Sequence, residues 1–178
     1  MYNIGVAFVS RGSGGGSDAH EAQLEQIARG ELDPIYCLHG AERYLVDRCL
    51  AAIRTAVIGG KAAPFASFNH DVFDLREADL GTVVSAARTL PMMAARRLVI
   101  GRGIDGVKAD ELEPLLPYVK DPSPSTCLVL LGDKVDTRFK AFAALRKAGW
   151  LHEFASLRDR ELPAWIAREA RVHGVTIA

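Results

Sequence analysis

Five short apolar runs, each divided from the next by a segment long enough for a helix, constrain this chain more than any other feature. The runs are IYCLHG (35–40), FNHDVF (68–73), RLVIG (97–101), TCLVLLG (126–132) and WLHEF (150–154). Between the first two, Leu45, Cys49, Ile53 and Val57 recur every fourth residue and lay one apolar stripe along a helix over 42–58. Helices are also expected over 78–88, 109–118 and 138–148. A further helix over 18–28 precedes the first strand, with Asp18 as its candidate N-cap and Leu24 and Ile27 one turn apart. Strands apolar throughout must be covered on both faces, and parallel neighbours need a crossover connection. The pattern therefore predicts an α/β domain over residues 18–156, a three-layer arrangement around a parallel five-stranded sheet.

The two ends read differently. MYNIGVAFVSRGSGGGS, residues 1–17, is a short apolar patch followed by a glycine-serine tract, expected to be a flexible extension. It lacks the basic start and long apolar core of a secretory leader. Beyond Ser156, RELPAWIAREARVHGVTIA reads as a helix with Trp165 and Ile166 on its apolar side, stopped by Gly174. Residues 157–178 are thus expected to open a second, helical domain that the chain's end cuts short.

Charge and cysteine usage narrow the function. Lys+Arg and Asp+Glu are both 22, the net charge is zero, and no basic stripe is evident. Strong autonomous nucleic-acid binding is not expected, because phosphate neutralisation needs clustered cations. Cys37, Cys49 and Cys127 sit within apolar runs without C-x-x-C spacing, so buried thiols are expected rather than a metal site. No apolar run approaches the length of a membrane span, and a cytoplasmic location is expected.

A parallel sheet raises the question of nucleotide binding at the first strand-to-helix turn, where helix N–H groups point outward. A phosphate-binding loop needs G-x-x-x-x-G-K-[ST], so that glycines wrap the phosphates, lysine neutralises them and the hydroxyl holds magnesium. From Gly40 the chain reads GAERYLVD instead, with Leu45, Val46 and Asp47 at the glycine, lysine and hydroxyl positions. The third strand is followed by Gly101-Arg102 rather than an acidic pair that would hold metal and polarise water. GRGIDG (101–106) has the wrong spacing for a dinucleotide fingerprint. Nor does any catalytic constellation emerge from His20, His39, His70, His152 and His173, which are scattered. His39 ends the first strand, where active sites often lie, yet reads as a structural or solvated histidine. Asp133 and Asp136 are more simply read as solvated beside Lys134 and Arg138 than as metal ligands.

One connection breaks the pattern. In ARTLPMMAARRLVI (87–100) the turn between helix and strand carries Leu90, Pro91, Met92 and Met93, where polar residues are usual. Folding onto the core is the ordinary fate of large apolar side chains. The alternative is a prong: Pro91 ends the helix and stiffens the turn, and the thioethers adapt to a partner's pocket. Arg96 and Arg97 either steady the loop, meet acidic groups on a partner, or form a solvated basic edge.

IYCLHGAERYLVD, FNHDVFD, ARTLPMMAARRLVI, YVKDPSPSTCLVLLGDK and ELPAWIAREARVHGVTI occur together in an order and spacing that resembles the delta-subunit family of bacterial DNA polymerase III, over roughly residue 21 to the C-terminal end. The resemblance implies an AAA+-like, P-loop-NTPase-like first domain with a degenerate nucleotide site, then helical domains of which only the start is present. It also implies a non-catalytic part in DNA replication as a sliding-clamp-loader subunit, with no catalytic residues, cofactor or metal of its own. The implied partners are the beta sliding clamp and the other loader subunits (ATP-binding tau/gamma, and delta prime), with DNA met only indirectly or weakly and no membrane. The implied clamp-binding residues are Leu90, Met92 and Met93, although the family often has an aromatic residue where Met93 stands. Two readings compete: a nucleotide-binding enzyme of P-loop NTPase type with an atypical loop, and a loader-related subunit that never touches the clamp.

Overall fold

A computed structural model describes residues 17–59, 66–156, 159, 162–172 and 174–175. Five parallel strands form one sheet in the order β2-β3-β4-β1-β5, with β1 at Ile35–His39, β2 at His70–Asp74, β3 at Arg97–Arg102, β4 at Thr126–Gly132 and β5 at Leu151–Glu153. The helices are α1 (Ser17–Ala28), α2 (Arg43–Ile58), α3 (Leu80–Arg88), α4 (Leu115–Lys120), α5 (Lys140–Ala148) and α6 (Leu162–Val172). The alternation of strand and helix thus produces the expected three layers.

Side-chain period divides the core into two faces. On one face, Ile35 and Cys37, Val99, and Leu128 and Leu130 pack against α3, α4 and α5 through Val83, Leu115, Tyr118 and Phe142. On the other, Tyr36 and Leu38, Leu98 and Ile100, and Cys127 and Val129 meet α1 and α2 through Ile27, Leu45, Cys49 and Ile53. The fourfold stripe read from the sequence is the buried face of α2, except that Val57 is only partly buried. α6 returns to the same layer: Trp165 meets Tyr44 edge-on at 5.6 Å, and Glu169 pairs with Arg48 at 2.9 Å, which also holds Glu21 of α1 at 2.8 Å.

Four expectations need correction. The helix expected over 109–118 is a series of turns, and α4 begins only at Leu115, because Pro114 cannot donate to a helical ladder running through it. Phe68 and Asn69 belong to a 3-10 turn, Ala66–Asn69, rather than to β2. β2 is an edge strand and is not covered on both faces; Val72 is 48% exposed. The expected extension over 1–17 lies outside the described residues apart from Ser17, which opens α1. Asp18 lies inside α1 rather than before it, and its side chain, like His173, is also outside them.

Candidate functional site

In a parallel sheet, helix-to-strand connections lie at the N-terminal ends of the strands, and the connection from α3 to β3 is the one carrying Leu90, Met92 and Met93. α3 starts at an Asp79 cap, whose carboxylate accepts from Thr82 N–H at 2.9 Å and from the Thr82 hydroxyl at 2.7 Å. It stops at Thr89, whose backbone is extended, and Leu90 precedes Pro91, which disfavours helix at both positions. The last turn of α3 is fixed to the core: Ala87 is buried, its carbonyl accepts from the Tyr118 hydroxyl at 3.4 Å, and Arg88 lies over the Tyr118 ring at 5.3 Å. The loop therefore leaves a rigid base.

Its far side is fixed as well. Asn69 is 1% exposed, and its carboxamide donates through Nδ2 to the Met92 carbonyl at 2.8 Å and accepts through Oδ1 from the Met92 N–H at 2.7 Å. That pair of bonds is what a neighbouring strand would supply, delivered by one side chain. Arg97 reinforces the same corner: Nη2 lies 2.6 Å from Asp71 Oδ2, and Nη1 donates to the Phe68 carbonyl at 3.3 Å. Of the readings open for Arg97, steadying the loop region is the one its geometry supports. Met93 follows at φ +50°, a left-handed conformation found at no other non-glycine among the described residues.

With its backbone held, the loop turns its side chains outward. Leu90 is 76% exposed, Met92 54% and Met93 78%. Phe68, on the turn that carries Asn69, is 57% exposed. Four large exposed apolar side chains thus stand on two segments that the Asn69 carboxamide ties together through the Met92 backbone, and exposed apolar surface of that kind characterises partner-binding patches.

The opposite, C-terminal edge of the sheet holds the turn examined for phosphate binding. There the Glu42 N–H donates to the Phe154 carbonyl at 3.0 Å, and Phe154 N–H donates to the His39 carbonyl at 2.7 Å. Gly40 adopts φ +135° so close to the exit of β5 that a Cβ would lie 2.1 Å from the Phe154 carbonyl oxygen. Arg43 forms an ion pair with Asp133 across the top of the sheet, so Asp133 has a cationic partner, and Asp136 accepts from Arg138 Nε at 2.9 Å. His39 is buried, and that burial lowers its pKa, with Glu153 opposing the shift. His20 stacks on Phe154 at 4.5 Å and bonds the Glu153 carbonyl at 3.0 Å, and His152 bonds Gln23 at 3.0 Å; both rings tie α1 to β5. The three cysteines are buried in the core. Among the described residues no group of three or more His, Cys, Asp or Glu is arranged to hold a metal ion, and no helix is long and apolar enough to cross a membrane.

Comparison with known proteins decides the family. A model of the DNA polymerase III delta subunit matches residues 36–154. The chain belongs to the delta-subunit family. Subunit delta of DNA polymerase III from Bacillus subtilis is 33% identical over 163 residues, covering 86% of this chain and 46% of the relative. The solved structure of the Bacillus subtilis DNA clamp loader delta protein superposes with a TM-score of 0.76 at 32% identity, covering 89% of this chain and 49% of that one. A gamma-subunit-related protein of DNA polymerase III from Thermotoga maritima shares the fold, with a TM-score of 0.53 at 13% identity over 82% of this chain and 49% of its own. This delta-family chain thus spans about half the length of the relatives it matches.

In the sequence, Pro91 and its apolar neighbours mark the prong, but nothing singles out Asn69, which reads as a strand residue. The signal available is weak: a carboxamide in a segment read as a strand, where a buried amide must find partners.

Proposed function

We propose that this chain is the clamp-gripping part of a clamp-loader delta subunit, and that Leu90, Met92 and Met93 insert into an apolar pocket on the beta sliding clamp. The observation that carries the reading is the outward presentation of these three side chains on a loop whose backbone Asn69 fixes. A pre-ordered loop loses little entropy on binding. Each side chain, once covered, contributes about 1.5–3 kcal/mol, which suffices for a central hot spot. Phe68, exposed on the turn that carries Asn69, adds apolar area.

In this reading the role is mechanical. The clamp is a closed ring, and a subunit that binds its parted form more tightly shifts the population toward opening by no more than that difference in affinity. Energy comes from ATP-binding partner subunits of the loader, which expose or cover the loop, while this chain catalyses nothing and needs no cofactor. α6 begins the second, helical domain, DNA is met indirectly, and the setting is the cytoplasm.

Against the nucleotide-enzyme alternative stands the turn after β1, whose Glu42 N–H is already engaged by the Phe154 carbonyl and whose helix carries no lysine at the phosphate position. Calorimetric titration with magnesium-ATP is expected to give no binding heat; stoichiometric binding would favour the enzyme. The direct test of the proposal is co-elution with the clamp of the same organism. The chain is expected to travel with the clamp, and a version with residues 90–93 replaced by serines to elute apart from it.

A further inference from the structure

Sulfur in this chain is sorted by depth. Cys37, Cys49 and Cys127 are buried in the two cores, and burial pushes each thiol up to about 12, leaving little reactive thiolate near neutrality. The thioethers are placed oppositely: Met92 and Met93 are both more than half exposed and sit side by side on the loop. They are the only methionines besides Met1. Thioether oxidation requires no ionisation, so access alone governs its rate.

We propose that Met92 and Met93 form a reversible oxidation site at which a hydroperoxide converts the thioethers to sulfoxides and switches off clamp binding. The inference rests on the clamp-gripping reading above. In the step, a sulfur lone pair attacks one peroxide oxygen, the S–O bond forms as the O–O bond breaks, and the departing hydroxide takes the proton left on the new oxygen. Thioether and hydrogen peroxide become sulfoxide and water; sulfur gives up two electrons and the peroxide accepts them.

Two features of the loop make the consequence severe. Asn69 holds Met92 by both backbone groups, and Met93 is fixed in a left-handed turn, so neither side chain can exchange places with another residue. A sulfoxide then carries its strong acceptor oxygen into an apolar pocket, where it lacks a donor; an unsatisfied buried acceptor weakens binding about tenfold or more. Clamp-bound thioethers are covered, so oxidation strikes the subunit when it is unengaged, and the clamp and the oxidant compete for the same two side chains. Methionine sulfoxide reductases, one for each sulfoxide epimer, reverse the change.

The test treats the full chain with hydrogen peroxide, locates the added oxygen by peptide mass spectrometry, and measures clamp affinity before and after. Expected are sulfoxides at Met92 and Met93 with the three thiols unmodified, a loss of affinity of about tenfold or more, recovery with the two reductases and a thiol reductant, and protection when clamp is present during treatment. A Met92→Leu/Met93→Leu variant has no sulfur to oxidise on the loop, so its clamp affinity, measured against its own untreated value, is expected to be the same before and after peroxide. Unchanged affinity of the oxidised wild type, modification of the thiols first, or equal peroxide sensitivity of the leucine variant would each overturn the proposal. Untreated Met92→Ala/Met93→Ala separates the two claims. If it binds like wild type, the clamp reading fails and the switch with it; if it loses binding while oxidised wild type does not, only the switch fails.

Discussion

The carboxamide of Asn69 bonds both backbone polar groups of Met92, giving through Nδ2 at 2.8 Å and receiving at Oδ1 at 2.7 Å. A residue 23 positions earlier in the chain thus fixes the backbone at the middle of the loop that carries the exposed apolar side chains. Removing it leaves two backbone groups without their partner. Asn69→Ala is expected to cost about 1–3 kcal/mol of folding stability, measured by chemical unfolding. It should also weaken clamp binding, because the loop must then be ordered on contact. Stability lost with clamp affinity unchanged would separate Asn69 from the site.

Met93 bears a side chain where a left-handed backbone favours glycine, a conformation that costs an L-residue about 1–2 kcal/mol. Met93→Gly relieves that strain while adding freedom to the unfolded chain, so the two effects nearly offset. Its unfolding midpoint is expected to lie close to that of wild type, with clamp affinity reduced. Fold and binding then part company at a single position. A large fall in stability would mean that the thioether packs on the domain rather than facing a partner.

Two histidines, His39 buried and His70 half-buried, set an acid limit on the fold. Desolvation is the largest effect on both His39 and His70 and lowers their pKa below the ordinary 6.5; Arg54 lowers His70 further, and Glu153 and Asp71 act in opposition. The unfolded chain therefore takes up protons near pH 6.5 that the folded rings resist. Stability is full above that pH and is lost as the pH falls from about 6.5 toward the depressed folded values. Thermal unfolding between pH 7 and 5.5 is expected to show a falling midpoint, flattened in a His39→Gln/His70→Gln variant. An unchanged slope in that variant would assign the effect elsewhere.

The strand pattern carried most of the architecture because apolar runs bounded by turns report burial directly. TCLVLLG coincides with β4, residue for residue, and every one of its positions is buried. The elements that were misread are those governed by something other than periodicity. Pro114 breaks the helix expected over 109–118, and Asn69 leaves the strand pattern to serve Met92. At the candidate site, the prong was legible because Pro91 and two methionines are out of place in a loop. Its support is legible only in part: steadying the loop is one of the readings open for Arg97, but Asn69 and Asp71 join it only when β2 and β3 pair. Likewise, the sequence shows that lysine is missing from the turn after β1, but not that the Phe154 carbonyl accepts from the Glu42 N–H there.

The central claim is that the apolar tip of the α3–β3 loop holds the clamp. Its most direct measurement is the equilibrium affinity of purified clamp for wild type and for Met92→Ala/Met93→Ala, with thermal unfolding of both as the control for folding. Removing two covered side chains of about 1.5–3 kcal/mol each predicts at least a tenfold loss of affinity with the unfolding midpoint nearly unmoved. Equal affinity of the two proteins for the clamp would contradict the account.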